Sequence, residues 1–491
     1  MTTHSIANAL VDRMLAAFRF MLLLAMFMMF ALAAAEGDFL KVGALVGGVV
    51  FAVILAYGRW WLLLAWITAT PTVLILVNNF MVHLPVINGP RLLFAALAAV
   101  AGATVLLRRG RVAPITLTEG LMLVMVPFMV ISAMLSLDCA GGDPVDEAKL
   151  SFALLLDGFV MPYFAFWIAR QVAWTDARVR LLLILLMVMG VYIMTAGSLQ
   201  YFLGINALSP DYVTEIHLGR ARGPFPNAAE FGSVMMVLAV LAFYFVFEAR
   251  DILGRLTATA LGALFLFGVG LSLTRSVWIS MPIAALWLVI ADRRTRPYLL
   301  PVMVVGGLVG LALLPFIMQI GPVADRLNDV TPVYNRMTLY MTALSMGWDN
   351  PLTGVGFGRY CFMANSIHYA QPFLGIPAQY IVGVGVPHNE FLHMFALTGI
   401  PGAALYALMY LMLFRESSVA ARAPDKQGTM QARLAPYAQV AVLVVVVNAM
   451  LVDVIFFSYL LLFIFFLAGV VSAPRAGGLL AGSTEAAHAR R

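Results

Sequence analysis

Residues 181–203 read LLLILLMVMGVYIMTAGSLQYFL, a run without a single charged side chain. At a rise of about 1.5 Å per residue, a helix of roughly 20 such residues crosses the hydrocarbon core of a bilayer. The rest of the chain has the same character, because 63% of its 491 residues are hydrophobic and only 11% are charged. Soluble domains contain about 25% charged residues. The composition therefore excludes an ordinary soluble protein and predicts an all-α polytopic membrane protein.

Apolar blocks of similar length recur along the whole chain, and we predict about 12–14 transmembrane helices from them. The blocks lie near 18–35, 39–57, 60–81, 91–107, 117–137, 150–169, 181–203, 229–247, 256–273, 276–291, 298–318, 389–414, 434–454 and 456–472. Residues 1–17 are predicted to be an N-terminal segment, 18–318 to hold eleven helices and 389–472 to hold three. Residues 319–388 form one long loop between late spans, and 473–491 form a disordered tail.

The basic residues predict the orientation. With the N-terminus inside, 21 of the 30 lysines and arginines lie on one side of the membrane and 9 on the other. Cytoplasmic loops are enriched in these residues, so both termini are predicted to be cytoplasmic and the long loop to face outwards. The net charge of +6 reflects this asymmetry. We interpret it as a topology signal and predict no nucleic-acid partner.

The outer loop 319–388 is long enough to be functional in its own right. Within it, Arg336–Trp348 has the pattern of a short helix with apolar contacts, which we expect to lie along the membrane interface. Both cysteines, Cys139 and Cys361, fall in predicted outer loops. That compartment permits a disulfide, and two unpaired thiols are the alternative.

Five arginines lie in outer segments that the orientation predicts to be poor in basic residues: Arg220, Arg222, Arg275, Arg336 and Arg359. Inserting an arginine into a membrane costs roughly 2.5–3.5 kcal/mol on translocon scales, so its presence there indicates function. Guanidinium groups bind phosphate oxygens in a bidentate manner and stay charged at any working pH. Several of them together suit a diphosphate. The alternative is that each pairs with a nearby carboxylate or extends to the interface.

A histidine stands at the outer end of a predicted span, in the run His388-Asn389-Glu390. Imidazole is the side chain best suited to accept a hydroxyl proton near neutral pH. His388 is therefore the candidate general base, and either Asn389 or Glu390 could orient it. A purely structural hydrogen bond is the alternative, and His393 is the weaker candidate because it lies off the same helical face.

Motif spacing indicates neither a metal site nor a cofactor. The chain has no His-x-x-x-His or Cys-x-x-Cys pattern of the kind that binds zinc. The run Gly354-x-Gly-x-Gly358 lacks the Lys-Ser/Thr of a phosphate-binding loop, so we interpret it as a tight turn. We predict no metal and no cofactor.

His388-Asn389 is followed, after nine residues, by Gly399-Ile-Pro-Gly402. This pattern closely resembles the signature of the O-antigen ligase and polymerase family. Three further segments resemble motifs of that family in the same order. They are Arg222-Gly-Pro-Phe-Pro-Asn227, Leu273-Thr-Arg-Ser-Val-Trp278 and Asn350-Pro-Leu-Thr-Gly-Val-Gly-Phe-Gly358, the last with Arg336 upstream. Thr274 and Ser276 stand where the family more commonly has Ser and Gly. The resemblance covers roughly 215–415.

The resemblance implies a GT-C-like, metal-independent and inverting glycosyltransferase of the bacterial inner membrane, with its active site facing the periplasm. The donor would be an oligosaccharide on undecaprenyl diphosphate, and the acceptor a hydroxyl of another glycan or of lipid A core. His388 would be the catalytic base, and Arg222 and Arg275 would bind the diphosphate. The supporting residues would be Arg220, Arg336, Arg359, Asn389 and Glu390.

Two alternatives remain open at this level. A ligase and a polymerase of O-antigen or exopolysaccharide need the same donor-side groups, so the motifs hardly separate them. A transporter of an anion or a glycan precursor would also suit a chain with many spans. A transporter usually places polar groups near the midplane in two related halves, and here mid-span candidates such as Asp157 are few.

Overall fold

The computed structural model describes residues 59–78, 89–106, 112–134, 144–206, 219–317, 331–369 and 385–475. Within these ranges the chain is helical and has no β-strand. The predicted spans at 18–35 and 39–57, the N-terminal segment 1–17 and most of the tail 473–491 lie outside the described residues.

The described residues contain fifteen α-helices, numbered in chain order. They are α1 (Arg59–Asn78), α2 (Gly89–Leu106), α3 (Leu117–Met134), α4 (Pro144–Leu155), α5 (Met161–Arg170), α6 (Asp176–Leu203), α7 (Ala228–Glu248), α8 (Ile252–Leu271), α9 (Arg275–Ala291), α10 (Arg296–Ile317), α11 (Thr331–Asp349), α12 (Cys361–Ser366), α13 (Glu390–Arg422), α14 (Met430–Ala449) and α15 (Ser458–Ser472). A π-helical turn, Leu156–Val160, joins α4 to α5, and a 3₁₀ turn, Val454–Phe456, precedes α15.

Eight helical segments of the described chain are long and apolar enough to cross a membrane. They are Leu117–Met134, Ala148–Arg170, Asp176–Leu203, Ala228–Glu248, Ile252–Leu271, Arg296–Leu313, Glu390–Arg422 and Met430–Ala449. Four shorter apolar helices lie at the remaining predicted spans: Leu62–Pro71, Pro90–Leu106, Arg275–Ala291 and Ser458–Ser472. The prediction of an all-α polytopic membrane protein is confirmed.

The centre of the bundle is α15. Every residue from Tyr459 to Val471 is buried, as expected for a helix that is apolar on all sides. It packs against α1, α5, α7, α13 and α14. Its N-terminal end follows directly on the turn that carries Asp453, so the core of the bundle fixes the position of that turn.

The mid-span acid Asp157 is paired. Its two carboxylate oxygens accept from Arg91 Nε at 2.9 Å and Nη2 at 2.7 Å, and it lies in the π-helical turn between α4 and α5. This bidentate geometry is the strong form of an ion pair. Asp157 is therefore paired with a cation of the protein itself.

The long loop contains two of the helices. Helix α11 begins at Thr331, five residues before the predicted start, and packs against α13. Trp348 at its end meets the ring of Phe395 edge-on, with the centroids 5.5 Å apart. In α12, Cys361 is buried and disulfide-bonded, and Cys139 lies outside the described residues. The position of α11 along the membrane interface stays a prediction.

Helix α13 is broken at Gly399, where φ is 66° and ψ is −167°. The break leaves the carbonyls of Ala396 and Leu397 without their usual partners, because Ile400 turns away and Pro401 has no N–H. The segment 350–358 supplies what is missing. Val355 N–H donates to Ala396 O at 2.9 Å, Gly356 N–H donates to Leu397 O at 2.9 Å, and Ile400 N–H donates to Pro351 O at 2.8 Å.

Glycine is required on both sides of this joint. A Cβ at Gly354 would lie 2.2 Å from the carbonyl carbon of Leu397, and one at Gly399 would lie 2.6 Å from Pro351 O. Both contacts are to backbone, which has no room to move aside. The glycine-rich run is therefore a tight turn, as predicted, and it fastens the end of α11 to the middle of α13.

Candidate functional site

His388 stands at the N-terminal end of α13 in an unusual backbone conformation. Its φ is +53°, a left-handed value that is uncommon for a residue with a side chain. Its N–H donates to Asp453 Oδ2 at 3.0 Å, and its own Nδ1 lies 3.5 Å from the same oxygen. The imidazole side chain is 46% exposed, whereas Asp453 is 2% exposed. A buried carboxylate thus holds the backbone and faces the ring of a half-exposed histidine.

Asp453 was not among the residues predicted from the sequence. It lies in the turn between α14 and α15, and its Oδ1 is 2.9 Å from His393 Nδ1. A signal was available, because Asp453 is the only charged residue between Arg433 and Arg475, and an isolated acid in an apolar stretch indicates function. The sequence left open whether Asn389 or Glu390 orients His388. In the structure, the carboxylate next to the His388 ring is that of Asp453.

Burial and neighbouring basic groups favour a neutral His388 ring near physiological pH. Burial lowers the pKa of His388 below its usual value, and the positive charges of Arg336 and His393 lower it further against the opposing effect of Asp453. Burial raises the pKa of Asp453, but His393 and His388 more than offset this, so its pKa lies below the usual value. A neutral imidazole beside an ionised carboxylate is the state that a general base requires.

Arg336 projects from α11 towards the same place. Desolvation lowers its pKa, and the charges of Tyr340, Arg275 and Asp453 all act on it. One turn further along α11, Tyr340 OH lies 3.4 Å from the carbonyl oxygen of His388. Arg336 therefore acts on His388, and Arg275 acts in turn on Arg336.

Arg275 is the first residue of α9, directly after a strained turn. Leu273 has φ of +46°, and only it and His388 among the described non-glycine residues have positive φ. Arg220 holds this turn, because its Nε donates to Ser272 O at 3.0 Å and its Nη2 donates to Thr274 Oγ1 at 2.5 Å. Arg220 therefore supports the segment of Arg275 through these hydrogen bonds.

Arg222 is almost completely buried, with 1% of its surface exposed. Desolvation lowers the pKa of its guanidinium. Gln200 Oε1 accepts from the backbone N–H of Arg222 at 2.8 Å and of Gly223 at 3.2 Å. In the same segment, the ring of Phe225 stacks on Tyr459 with the centroids 5.7 Å apart. This contact ties the Arg222 segment to the first turn of α15.

Arg359 reaches the same turn from another side. Its guanidinium lies over the ring of Phe456, 5.3 Å from the centroid, a cation–π contact worth about 0.5–1 kcal/mol at an exposed site. The backbone N–H of Arg359 donates to Ser151 Oγ at 3.3 Å. Arg359 is exposed, and its side chain is placed at the rim of the site by an aromatic ring of the turn.

The two residues after His388 have structural partners. Asn389 is the N-cap of α13, and its side chain accepts from Leu392 N–H at 3.1 Å. Glu390 is fully buried, and its Oε2 accepts from Ile455 N–H at 3.1 Å. Asn389 therefore fixes the start of the helix, and Glu390 binds the backbone of the turn that carries Asp453.

Glu390, His393 and Asp453 form a buried cluster in which one ligand atom from each lies within 4.8 Å of the others. Motif spacing did not reveal it, because Asp453 is 60 residues from His393 in the chain. Within the cluster, Asp453 binds His393 and the backbone of His388, and Glu390 binds the backbone of Ile455. These hydrogen bonds hold the three side chains against one turn, while Glu390 Oε1 and His393 Nε2 are buried without a hydrogen-bond partner in the described residues. The prediction of no metal stays a prediction.

Residues 260–407 match the family model described as O-antigen ligase. The match supports the O-antigen ligase and polymerase family that the motifs indicated. Arg220, Arg222 and the newly found Asp453 lie outside the matched segment, which contains six of the predicted site residues: Arg275, Arg336, Arg359, His388, Asn389 and Glu390. No curated protein matches the chain. The match supports glycan transfer by a ligase or polymerase in general terms.

Proposed function

We propose that this protein transfers a glycan from undecaprenyl diphosphate to an acceptor hydroxyl at the periplasmic face of the bacterial inner membrane. The observation that carries the proposal is the pairing of a half-exposed His388 with the buried carboxylate of Asp453, next to the charges of Arg336 and Arg275. A base and a positively charged pocket are the two elements that displacement of a diphosphate requires.

In the proposed reaction, His388 accepts the proton of the acceptor hydroxyl. The hydroxyl oxygen attacks the anomeric carbon of the donor in line, and the bond from that carbon to the diphosphate oxygen breaks. The electron pair of that bond leaves with undecaprenyl diphosphate, and the new glycosidic bond has inverted configuration. Asp453 orients the imidazole and stabilises the imidazolium that forms, as a carboxylate does in other acid–base pairs.

The arginines would stabilise the negative charge that develops on the leaving diphosphate. Arg336 acts on the base and Arg275 acts on Arg336, and Arg222 is buried in the segment next to the turn of Asp453. Fixed donors in a site with little water are commonly the largest contribution to catalysis. Arg275 also begins a helix whose N-terminal end favours anions. Guanidinium groups would thereby take the role of a metal, and we propose that the reaction needs none.

Ligase and polymerase activities both fit this arrangement, because both use the same donor. They differ only in the acceptor, which is lipid A core for the ligase and the next repeat unit for the polymerase. The protein would bind the lipid-linked donor, the acceptor and the bilayer, and no described contact separates the two acceptors.

The test is polysaccharide analysis of a deletion strain complemented with wild type, His388→Ala or, as a matched control, His368→Ala at equal membrane levels. His368 is an exposed histidine of the same long loop. Single repeat units left on the carrier or on lipid A core identify a polymerase, and long chains stranded on the carrier identify a ligase. We expect His368→Ala to restore the wild-type pattern and His388→Ala to fail. Full restoration by His388→Ala would remove His388 from the reaction.

A further inference from the structure

Residues 453–460, called the Asp453 turn, comprise the end of the connection between α14 and α15 and the first residues of α15. They lie outside the segment that matches the family model. Helix α15 begins after Phe457, which provides no side-chain cap. The first backbone N–H groups of a helix need partners from elsewhere, and a buried N–H without one costs about 1–3 kcal/mol. One buried glutamate from a distant helix provides partners for α15, and a second does so for the 3₁₀ turn directly before it.

The first is Glu230 of α7. Its Oε1 accepts from Tyr459 N–H at 3.0 Å and from Leu460 N–H at 3.4 Å, and the residue is 2% exposed. Glu230 lies in the first turn of α7, which starts immediately after the Arg222–Asn227 segment. The stacking of Phe225 on Tyr459 joins the same two parts of the chain. Glu230 therefore fixes the Arg222 segment to the Asp453 turn.

The second is Glu390 of α13, which lies two residues after His388. Its Oε2 accepts from Ile455 N–H at 3.1 Å, while Asp453, two residues before Ile455, accepts from the N–H of His388. The two backbone segments are thus joined by reciprocal hydrogen bonds, in which a carboxylate of each segment accepts from a backbone N–H of the other. Such pairing fixes how far the carboxylate of Asp453 lies from the imidazole of His388.

From this geometry we infer that Glu230 and Glu390 are positioning residues for the transfer reaction. They hold the Asp453 turn so that Asp453 stays within reach of His388, and Glu230 sets the Arg222 segment against the same turn. The inference rests on the proposed function, because it assigns Asp453 the task of orienting a base. The sequence suggested that Glu390 could orient the imidazole directly, whereas here it acts through the Asp453 turn.

A purely structural cap would predict a different result from a positioning residue. Loss of a cap lowers the stability of the folded protein but leaves each folded molecule as active as before. Loss of a positioning group moves Asp453 relative to His388, which changes the titration of His388 and the rate of the chemical step. A misplacement of about 1 Å costs roughly 100-fold in rate, so the two roles are easily told apart.

The experiment compares Glu230→Met and Glu390→Met, which keep the length of the side chain but remove its acceptors, with Glu230→Gln and Glu390→Gln, which keep one acceptor oxygen. The matched control is Gln431→Met. Gln431 caps the opposite end of the same helix α15, where its Nε2 donates to Val470 O at 2.7 Å and Ala473 O at 2.8 Å. Each full-length variant is purified in detergent and assayed with lipid-linked donor extracted from membranes of the deletion strain.

Two quantities are measured for each variant. The first is kcat per folded enzyme, which we expect to fall about 10- to 100-fold in the methionine variants and to stay near wild type in the glutamine variants and in Gln431→Met. The second is the pH dependence of the modification of His388 by diethylpyrocarbonate, followed by mass spectrometry. Because Asp453 raises the pKa of His388, displacement of Asp453 should move the midpoint to lower pH.

The outcomes distinguish the inference from the proposed function. If wild type transfers glycan, His388→Ala does not, and both methionine variants keep the wild-type kcat and midpoint, the glutamates are only caps and the inference is wrong. If wild type and His388→Ala are equally inactive with every donor preparation, the proposed function itself fails. Should a methionine variant not fold, Glu230→Asp and Glu390→Asp replace it. These variants withdraw the carboxylate by one methylene, and we expect a smaller change in the same direction; a midpoint equal to wild type contradicts the inference.

Discussion

Substitution of Gly399 by alanine should disrupt the joint between the long loop and α13. The conformation of Gly399, with φ of 66° and ψ of −167°, is one that essentially only glycine adopts. An added Cβ would lie 2.6 Å from Pro351 O and 2.9 Å from the carbonyl carbon of Leu352. Both atoms belong to the backbone of the segment that pairs with the helix break, so that segment would have to move away.

The cost can be estimated from the contacts that would change. The strained conformation costs a residue with a side chain about 1–3 kcal/mol. The three hydrogen bonds between 350–358 and the break contribute about 1 kcal/mol each, and more where a buried group loses its partner. Partial loss of these bonds together with the strain gives a destabilisation of about 3–5 kcal/mol. Because the joint also sets Arg336 of α11 beside His388, transfer by the folded fraction should fall as well.

The assay is unfolding of the purified protein by dodecyl sulfate in mixed micelles, followed by tryptophan fluorescence and by size-exclusion chromatography. Gly102→Ala is the matched control, because Gly102 lies in helix α2 with no atom within 4 Å of the added Cβ, and alanine is favoured there by about 1 kcal/mol. A loss smaller than about 1 kcal/mol for Gly399→Ala would refute the account of the joint.

Three further predictions concern the chemistry. Asp453→Asn removes the charge that raises the pKa of His388. Because His388 acts as a base only when neutral, the acid limb of the pH–rate profile should move to lower pH, and kcat should fall about 100-fold or more. An unchanged profile would show that Asp453 does not act on the base. Arg222→Ala and Arg275→Ala should each abolish transfer while membrane insertion, measured by immunoblot of washed membranes, is unchanged; near-normal transfer removes that arginine from the site. Treatment with EDTA should change the rate of transfer less than about twofold if guanidinium groups alone stabilise the diphosphate, and a loss that Mg²⁺ or Zn²⁺ restores would contradict this.

Features that depend on local sequence were predictable. The apolar blocks coincide with the described apolar helices, with ends that differ by up to eight residues, because hydropathy over about 20 residues is sufficient to define a membrane span. The histidine signature and the arginines at the ends of spans indicated the family, since charged residues are costly in such segments. The glycine-rich run was correctly interpreted as a turn.

Partnerships between distant parts of the chain were not predictable. Asp453 is 65 residues from His388, and Glu230 is 229 residues from Tyr459. No local periodicity relates such positions, because their distance depends on how the helices pack. Arg220 shows the same limit. Its charge and location suggested a phosphate ligand, but the structure places its guanidinium on the turn before Arg275.

Hydropathy and short motifs alone predicted an all-α membrane protein that resembles the O-antigen ligase and polymerase family, with His388 as the candidate base. Hydropathy and short motifs are properties of neighbouring residues, so they are present before the chain folds. Only the tertiary structure showed that Asp453 faces His388, that Arg336 acts on the same ring and Arg275 acts on Arg336, and that Glu230 and Glu390 bind the turn behind it. These relations arise when α15 is enclosed by the other helices, because that packing brings the starts of α7 and α13 to one turn.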